Sequence, residues 1–195
     1  MNYALTSPSL DIVEDILANA ADRRYVHQAL DILGYPVEIM PFISGDAVAP
    51  AAFRASRLGC LTFIQFILVK LTEKDRIDCV RVAAEHGRLS LFHFLAPLVD
   101  LSEHAADIAY LTMGRDVHAI FRHLIMAKLI HLGEDFLIRA IDRNAVEIVA
   151  VILEKSNFID YTPFLARARA RSDNDRIDVI RIMLQEKIAE KFPSN

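Results

Sequence analysis

The chain has no tryptophan, two cysteines among 195 residues, and only 8% aromatic side chains. Two cysteines cannot build a disulfide framework, and neither Cys60 nor Cys79 sits in a CxxC or Cys/His ligand spacing. Both are expected as small buried hydrophobes, a usage that suits a reducing compartment. Six glycines and seven prolines are too few for a collagen-like or low-complexity chain. There is no excess of positive charge. Lys+Arg is 22 against 26 for Asp+Glu, a net of −4, which speaks against a general nucleic-acid binder that works by displacing counterions. The longest uncharged apolar run, Leu58 to Val69, is 12 residues, whereas a membrane span needs about 20. No basic segment followed by an apolar one opens the chain, so no Sec signal is expected.

What is present is apolar surface to bury. Hydrophobic residues make up 53% and charged residues 25%, the balance of a globular chain rather than a disordered one. Charge is unevenly spread. Residues 1–50 carry two basic and seven acidic side chains, and later stretches are near balance. The first quarter therefore reads as a solvated acidic cap. Apolar spacing is helical throughout. Leu10, Val13, Ile16, Leu17 and Ala20 follow the i, i+3, i+4 rule, with Ser7-Pro8 ahead of them as cap and first-turn proline. A second helix over about Arg23 to Leu33 stops at Gly34, and Thr162-Pro163 opens another. No stretch alternates with period 2, and no Asn-Gly or Asp-Gly turn marks a hairpin. The expectation is an all-α chain of twelve to fourteen short helices.

Internal repetition organises these helices. Segments ASRLGCLTFIQFIL (Ala55–Leu68), AAEHGRLSLFHFLA (Ala83–Ala96) and AIDRNAVEIVAVIL (Ala140–Leu153) share one pattern. A small residue is followed four positions later by Gly or Asn, then by an aliphatic, then by two apolar pairs. PVEIMPFI (Pro36–Ile43) and DRIDVIRIML (Asp175–Leu184) keep the second half, and RDVHAIFRHLI (Arg115–Ile125) keeps it with a one-residue slip. The aliphatic anchors Val37, Leu61, Leu89, Val117, Val146 and Ile177 are 24, 28, 28, 29 and 31 residues apart. Each unit reads as helix, tight turn, helix. A lone pair of this kind cannot bury its apolar face and must stack on a neighbour.

The run Ala83-Ala84-Glu85-His86-Gly87-Arg88-Leu89, continuing to Leu91-Phe92 and Phe94-Leu95, resembles the core of the ankyrin repeat. The periodicity extends the resemblance over about residues 28–188. The spacing is shorter than the 33 residues of that repeat, the Thr-Pro-Leu-His opening survives only as Thr162-Pro163-Phe164-Leu165, and the finger between units is trimmed. The resemblance implies a solenoid of about six stacked helix-turn-helix units, one domain over 1–195 with 1–35 as a helical cap. A different helix-pair solenoid and an irregular bundle are the rival architectures. Ankyrin-like arrays hold partners by the two variable residues before the turn and by the fingers. Carried over, this nominates Arg57 and Leu58, Glu85 and His86, and Asp142 and Arg143, and in the slipped units Met113 with Gly114, and Asp173 with Asn174. For any one of these the competing expectation is a solvated loop residue.

Chemistry is harder to find. HExxH, GxSxG, GxxxxGK and a GxGxxG after a strand are all absent. His118 and His123 are five apart, about 140° around a helix, and His93 and His123 lie in apolar stretches that suit core or groove-edge histidines. Glu134-Asp135 reads as first-turn acids. The run Arg167, Arg169, Arg171, Arg176, Arg181 is interleaved with Asp173, Asp175 and Asp178, which favours internal ion pairing over an anion-binding edge. The expected function is a non-enzymatic protein-protein interaction module, with no cofactor, no metal, no nucleic acid and no membrane span, acting in the cytoplasm. Small freestanding ankyrin-like chains of this sort resemble effectors of intracellular bacteria and large viruses. The alternatives are an inhibitor or adaptor that covers an enzyme, its acidic first quarter steering a basic partner, and an unrecognised hydrolase or transferase using groove His and carboxylate residues.

Overall fold

In the computed structural model, residues 45–171 and 174–192 are described. The expected helices before residue 35, the unit around Val37 and the candidate Asp173 lie outside them. Among the described residues the chain is all-helical, with ten α-helices, two short 3-10 turns and no strand. No hairpin finger is present among the described residues; the helix pairs are joined by short irregular segments. No helix among them is long and apolar enough to cross a membrane. The chain divides into two compact units, with the boundary between Asp100 and Leu101.

The first unit contains α1 (Gly45–Leu58), α2 (Leu61–Ile67), α3 (Glu73–Glu85) and α4 (Leu89–Leu95). Helix α3 starts at a capping box. The Asp75 N–H donates to Thr72 Oγ1 at 3.2 Å, and the Thr72 N–H donates back to Asp75 Oδ2 at 3.0 Å, so two otherwise orphaned donors are satisfied. Helix α1 packs along α3, and α2 along α4. Small buried residues, Ala52 and Ala55 on α1 and Cys79 and Ala83 on α3, allow the close approach. Leu91, Phe92 and Leu95 bury the apolar side of α4.

The second unit contains α5 (Ala105–Met113), α6 (His118–Met126), α7 (Glu134–Asp142), α8 (Val146–Lys155), α9 (Thr162–Arg169) and α10 (Asp175–Lys191). Pro163 stands in the first turn of α9, where its missing N–H costs no bond. The three pairs stack in chain order. The first helices α5, α7 and α9 form one layer, and the second helices α6, α8 and α10 form the other. Ile108, Ile120, Phe121, Leu124, Leu137, Ile148, Ile152 and Ile180 are fully buried between these layers. Phe136 closes one side, stacked on Tyr110 at 4.9 Å and edge-on to Phe121 at 5.9 Å.

Four of the five helix pairs turn in the same way. Gly59, Gly87, Asp116 and Asn144 have φ of 81°, 66°, 56° and 53°. Each lies four residues after a buried residue, Ala55, Ala83, Thr112 or Ala140, whose carbonyl accepts the N–H five residues on. These bonds, from Cys60, Arg88, Val117 and Ala145, measure 2.9, 2.8, 2.9 and 2.9 Å. This is the Schellman closure of a helix, which needs one left-handed residue. The following residue has φ between −75° and −85° and ψ between 70° and 77°, an inverse γ-turn, and the second helix starts at once. The left-handed residues are 28, 29 and 28 positions apart.

The slipped unit corrects one expectation. The nominated pair Met113-Gly114 puts the turn at Arg115, but the left-handed residue lies one position further on, and Gly114 is helical at φ −62°. The left-handed position falls to Asp116, a residue type that tolerates it better than most. Thr112 therefore takes the small-residue place, its hydroxyl bonded to the Ala109 carbonyl at 2.7 Å. Met113 then falls where Ser56, Ala84 and Ile141 stand in the other pairs, all fully buried, and it is itself 1% exposed. It packs the interior and is not a surface contact. The positions before the left-handed residue in this pair are Gly114 and Arg115, both exposed.

Candidate functional site

The residues nominated beside the turns sit at helix C-termini, where backbone carbonyls end and side chains splay outward. In the first unit the turns at Gly59 and Gly87 are neighbours, because Arg88 Nε donates to the Arg57 carbonyl at 2.8 Å. The bond satisfies a last-turn carbonyl of α1 and places a positive charge at the negative end of that helix. It brings Arg57, Leu58, Glu85 and His86 to one edge of this unit. Arg57 and Glu85 are exposed, and Leu58 and His86 are half-buried. His86 Nδ1 lies 3.1 Å from the Val82 carbonyl of its own helix, so this nitrogen carries the proton. Glu85 Oε2 lies 4.0 Å from the same nitrogen.

In the second unit the nominated Asp142 is engaged internally. Arg167 Nε and one terminal guanidinium nitrogen donate to its two oxygens at 2.8 and 2.6 Å, a bidentate pair, and Arg171 approaches to 3.5 Å. These bonds hold α9 against the end of α7. The hydrogen bond from Arg167 keeps the Asp142 carboxyl below the ordinary carboxylate value; partial burial opposes it, and the charges of Arg167 and Arg171 add to it. Arg143 beside it is exposed. Asn174 belongs to a different kind of turn. Its backbone is extended at φ −155°, and its side chain caps α10 by accepting the Ile177 N–H at 2.9 Å.

The edge of the second unit is laced by residues that the repeat pattern did not nominate. Asp116 accepts the N–H groups of Glu147 at 3.1 Å and Ile148 at 3.0 Å, capping α8 from the neighbouring turn. Arg176 pairs with the same carboxylate and donates through Nε to the Asn144 carbonyl at 2.9 Å. One carboxylate and one guanidinium thus tie three successive helix pairs together. Asp116 was legible only through the slip: four residues after Thr112, an Asp stands where Gly or Asn stands elsewhere. The arginine run forms internal ion pairs, but among the described residues only Asp178 of the interleaved acids serves it; the other carboxylates come from earlier helix pairs. Arg167 and Arg171 pair with Asp142, Arg176 with Asp116, and Arg181 with Asp178 at 2.8 Å and the Ala168 carbonyl at 3.2 Å.

The remaining candidate chemistry is sparse. Both cysteines are free and buried. Burial raises the Cys79 thiol to about 11 and also raises Cys60, where Arg88 partly offsets it. Neither is poised as a thiolate at neutral pH. His93 is exposed and His123 half-buried, so His93 is no core residue. Among the described residues no three His, Cys, Asp or Glu side chains gather as a metal site. A surface cleft in the second unit is lined by neither His86 nor His118. Compared with family models, with characterised proteins and with solved structures, the chain matches none.

Proposed function

We propose that this chain is a non-enzymatic protein-interaction module built from degenerate ankyrin-like helix pairs, and that it grips a partner protein by the residues beside its turns. The observation that carries the reading is the fourfold recurrence of one turn geometry at 28, 29 and 28 residues. Such a recurrence presents two variable side chains per unit at a repeated interval. Arg57, Glu85, Arg115 and Arg143 are exposed at these places. The turns are held by backbone bonds and by Arg88, Asp116 and Arg176, so little ordering accompanies binding and more of each contact survives as affinity. Each unit offers its own edge. In the first the contacts are Arg57, Leu58, Glu85 and His86. In the second they are Arg115 and Arg143, since Asp142 is already committed to Arg167 and Arg171.

The test is affinity capture from cell lysate with the wild-type chain and with the double variant Glu85→Lys/His86→Glu. These side chains lie at a helix end, and the change leaves the Gly87 turn intact. Thermal melting checks that the variant is folded. The proposal expects the variant to lose proteins that the wild type retains. Equal retention by both forms rejects this edge as the binding surface.

A further inference from the structure

The second unit carries a cleft of about 490 Å³ between the segment that follows α6 and the segment that follows α8. That volume lies in the range of small-molecule sites. Its apolar lining is Ile125, Ile130, Leu132 and Phe158, and its basic lining is Lys128, His131 and Lys155; no carboxylate lines it. Most cations of this unit are already matched, as the Arg167, Arg176 and Arg181 pairs illustrate. Within the cleft the matching is incomplete. Lys155 bonds Glu154 at 2.7 Å, but that carboxylate also serves Arg122 at 3.2 Å. Lys128 and His131 make no side-chain hydrogen bond or ion pair among the described residues.

Lys128 is unusual in its backbone as well. Its φ is 57°, and the Leu129 N–H closes onto the Leu124 carbonyl at 3.0 Å, so it fills the left-handed place of a Schellman cap. Glycine fills that place without strain. A lysine there offsets the negative end of α6, but so would a lysine one turn earlier on an unstrained backbone. The strained position is the one that places Lys128 in the cleft lining.

The opposite wall is fixed in advance. The buried Tyr161 hydroxyl accepts the Phe158 N–H at 3.3 Å and donates to the Ser156 carbonyl at 3.4 Å. Ser156 Oγ donates to the Ile152 carbonyl at 2.5 Å, and Lys191 from α10 donates to the Phe158 carbonyl. Beside the lining in sequence, Met126 and Ile159 are 74% and 91% exposed, apolar surface on the same two segments.

We infer that this cleft binds an amphiphilic acid: an apolar chain or ring that lies on Ile125, Ile130 and Phe158 and carries a carboxylate to Lys128, His131 and Lys155. The site is separate from the turn edges and stands or falls independently of them. A free lipophilic acid and the C-terminal residue of a peptide share this chemistry, and the experiment separates them.

The experiment is an amide NMR titration of the full chain with decanoate, with decanol, and with a tripeptide ending in phenylalanine as the free acid or the amide. Saturable shifts confined to residues 125–132 and 155–158, given by an acid and not by its neutral counterpart, support the inference. The acid that binds more tightly names the source. Lys128→Gly relieves the left-handed strain, so it should keep or raise the thermal midpoint while weakening the acid about tenfold, the size of one charge-assisted contact. Lys155→Gln provides a second loss of charge on an unstrained backbone. No shifts at low-millimolar ligand, equal binding of decanol and decanoate, or undiminished affinity in both variants would overturn it.

Discussion

Two glycines in the described chain should respond to the same substitution with opposite signs. Gly59 has φ 81°, and a Cβ built there meets Arg88 Cδ at 3.0 Å and Cγ at 3.5 Å. Gly114 is helical at φ −62°, and its Cβ meets nothing closer than the Leu111 carbonyl oxygen at 3.5 Å, an ordinary contact. Gly59→Ala puts an L side chain in the left-handed region, at a cost of about 1–2 kcal/mol. It also pushes on the arginine whose Nε bonds the Arg57 carbonyl at 2.8 Å, a bond worth about 1 kcal/mol at an exposed site. Against this stands the gain of about 0.4–1 kcal/mol from a stiffer unfolded chain. The net is a destabilisation of about 2 kcal/mol, which at this chain length lowers the thermal midpoint by about 4–8 °C. For Gly114→Ala only the gain remains, a rise of about 1–4 °C. Far-UV circular dichroism melts of the two variants beside the wild type provide the measurement. A Gly59→Ala midpoint at or above wild type, or shifts of the same sign in both variants, would refute the turn assignment.

Three further outcomes are expected. Asp116→Ala removes the acceptor for two α8 N–H groups and the partner of Arg176, and should lower the urea midpoint by the equivalent of about 2–3 kcal/mol; Asp116→Asn, which keeps an acceptor oxygen and tolerates the left-handed backbone, should lose less than half of that. The lowered Asp142 carboxyl makes its pairing pH-dependent: its stabilising share is full above the ordinary value of 3.8 and fades as the pH falls through the lower native value. Arg167→Ala should therefore narrow its stability gap to wild type at the acid end, and an unchanged gap in acid unfolding curves would contradict the pairing. With Cys79 raised to about 11 and fully buried, neither it nor Cys60 should react with a disulfide reagent at pH 8 until the chain unfolds; rapid labelling of both thiols under native conditions would contradict their burial.

Helix identity was legible in the chain itself because it depends on local properties. The i, i+3, i+4 spacing, the proline at 163 and the Gly or Asn four residues after an alanine are satisfied within a dozen residues, so Gly59, Gly87 and Asn144 could be placed as turns before any coordinates. The burial of Cys60 followed from its apolar surroundings in the same way, and that of Cys79 from its residue type and the absence of any ligand spacing. Met113 failed for an equally local reason. The nominated pair Met113-Gly114 lies one residue early, because neither Gly nor Asn marks the turn in this pair and the register is set by Thr112 and Asp116 together. Asp116, Arg88 and Arg176 are different in kind. Each bonds a group 31 or more residues away, and no rule of spacing says which arginine in an arginine-rich stretch will meet which carbonyl. Their roles exist only once consecutive helix pairs are packed side by side. The cleft at Lys128 likewise joins two segments with no common pattern, and its unmatched charge is a property of the assembled surface. Short-range geometry wrote the helices and most of their turns into the amino-acid order. Stacking alone decided which charges were spent on holding the pairs together and which were left facing outward.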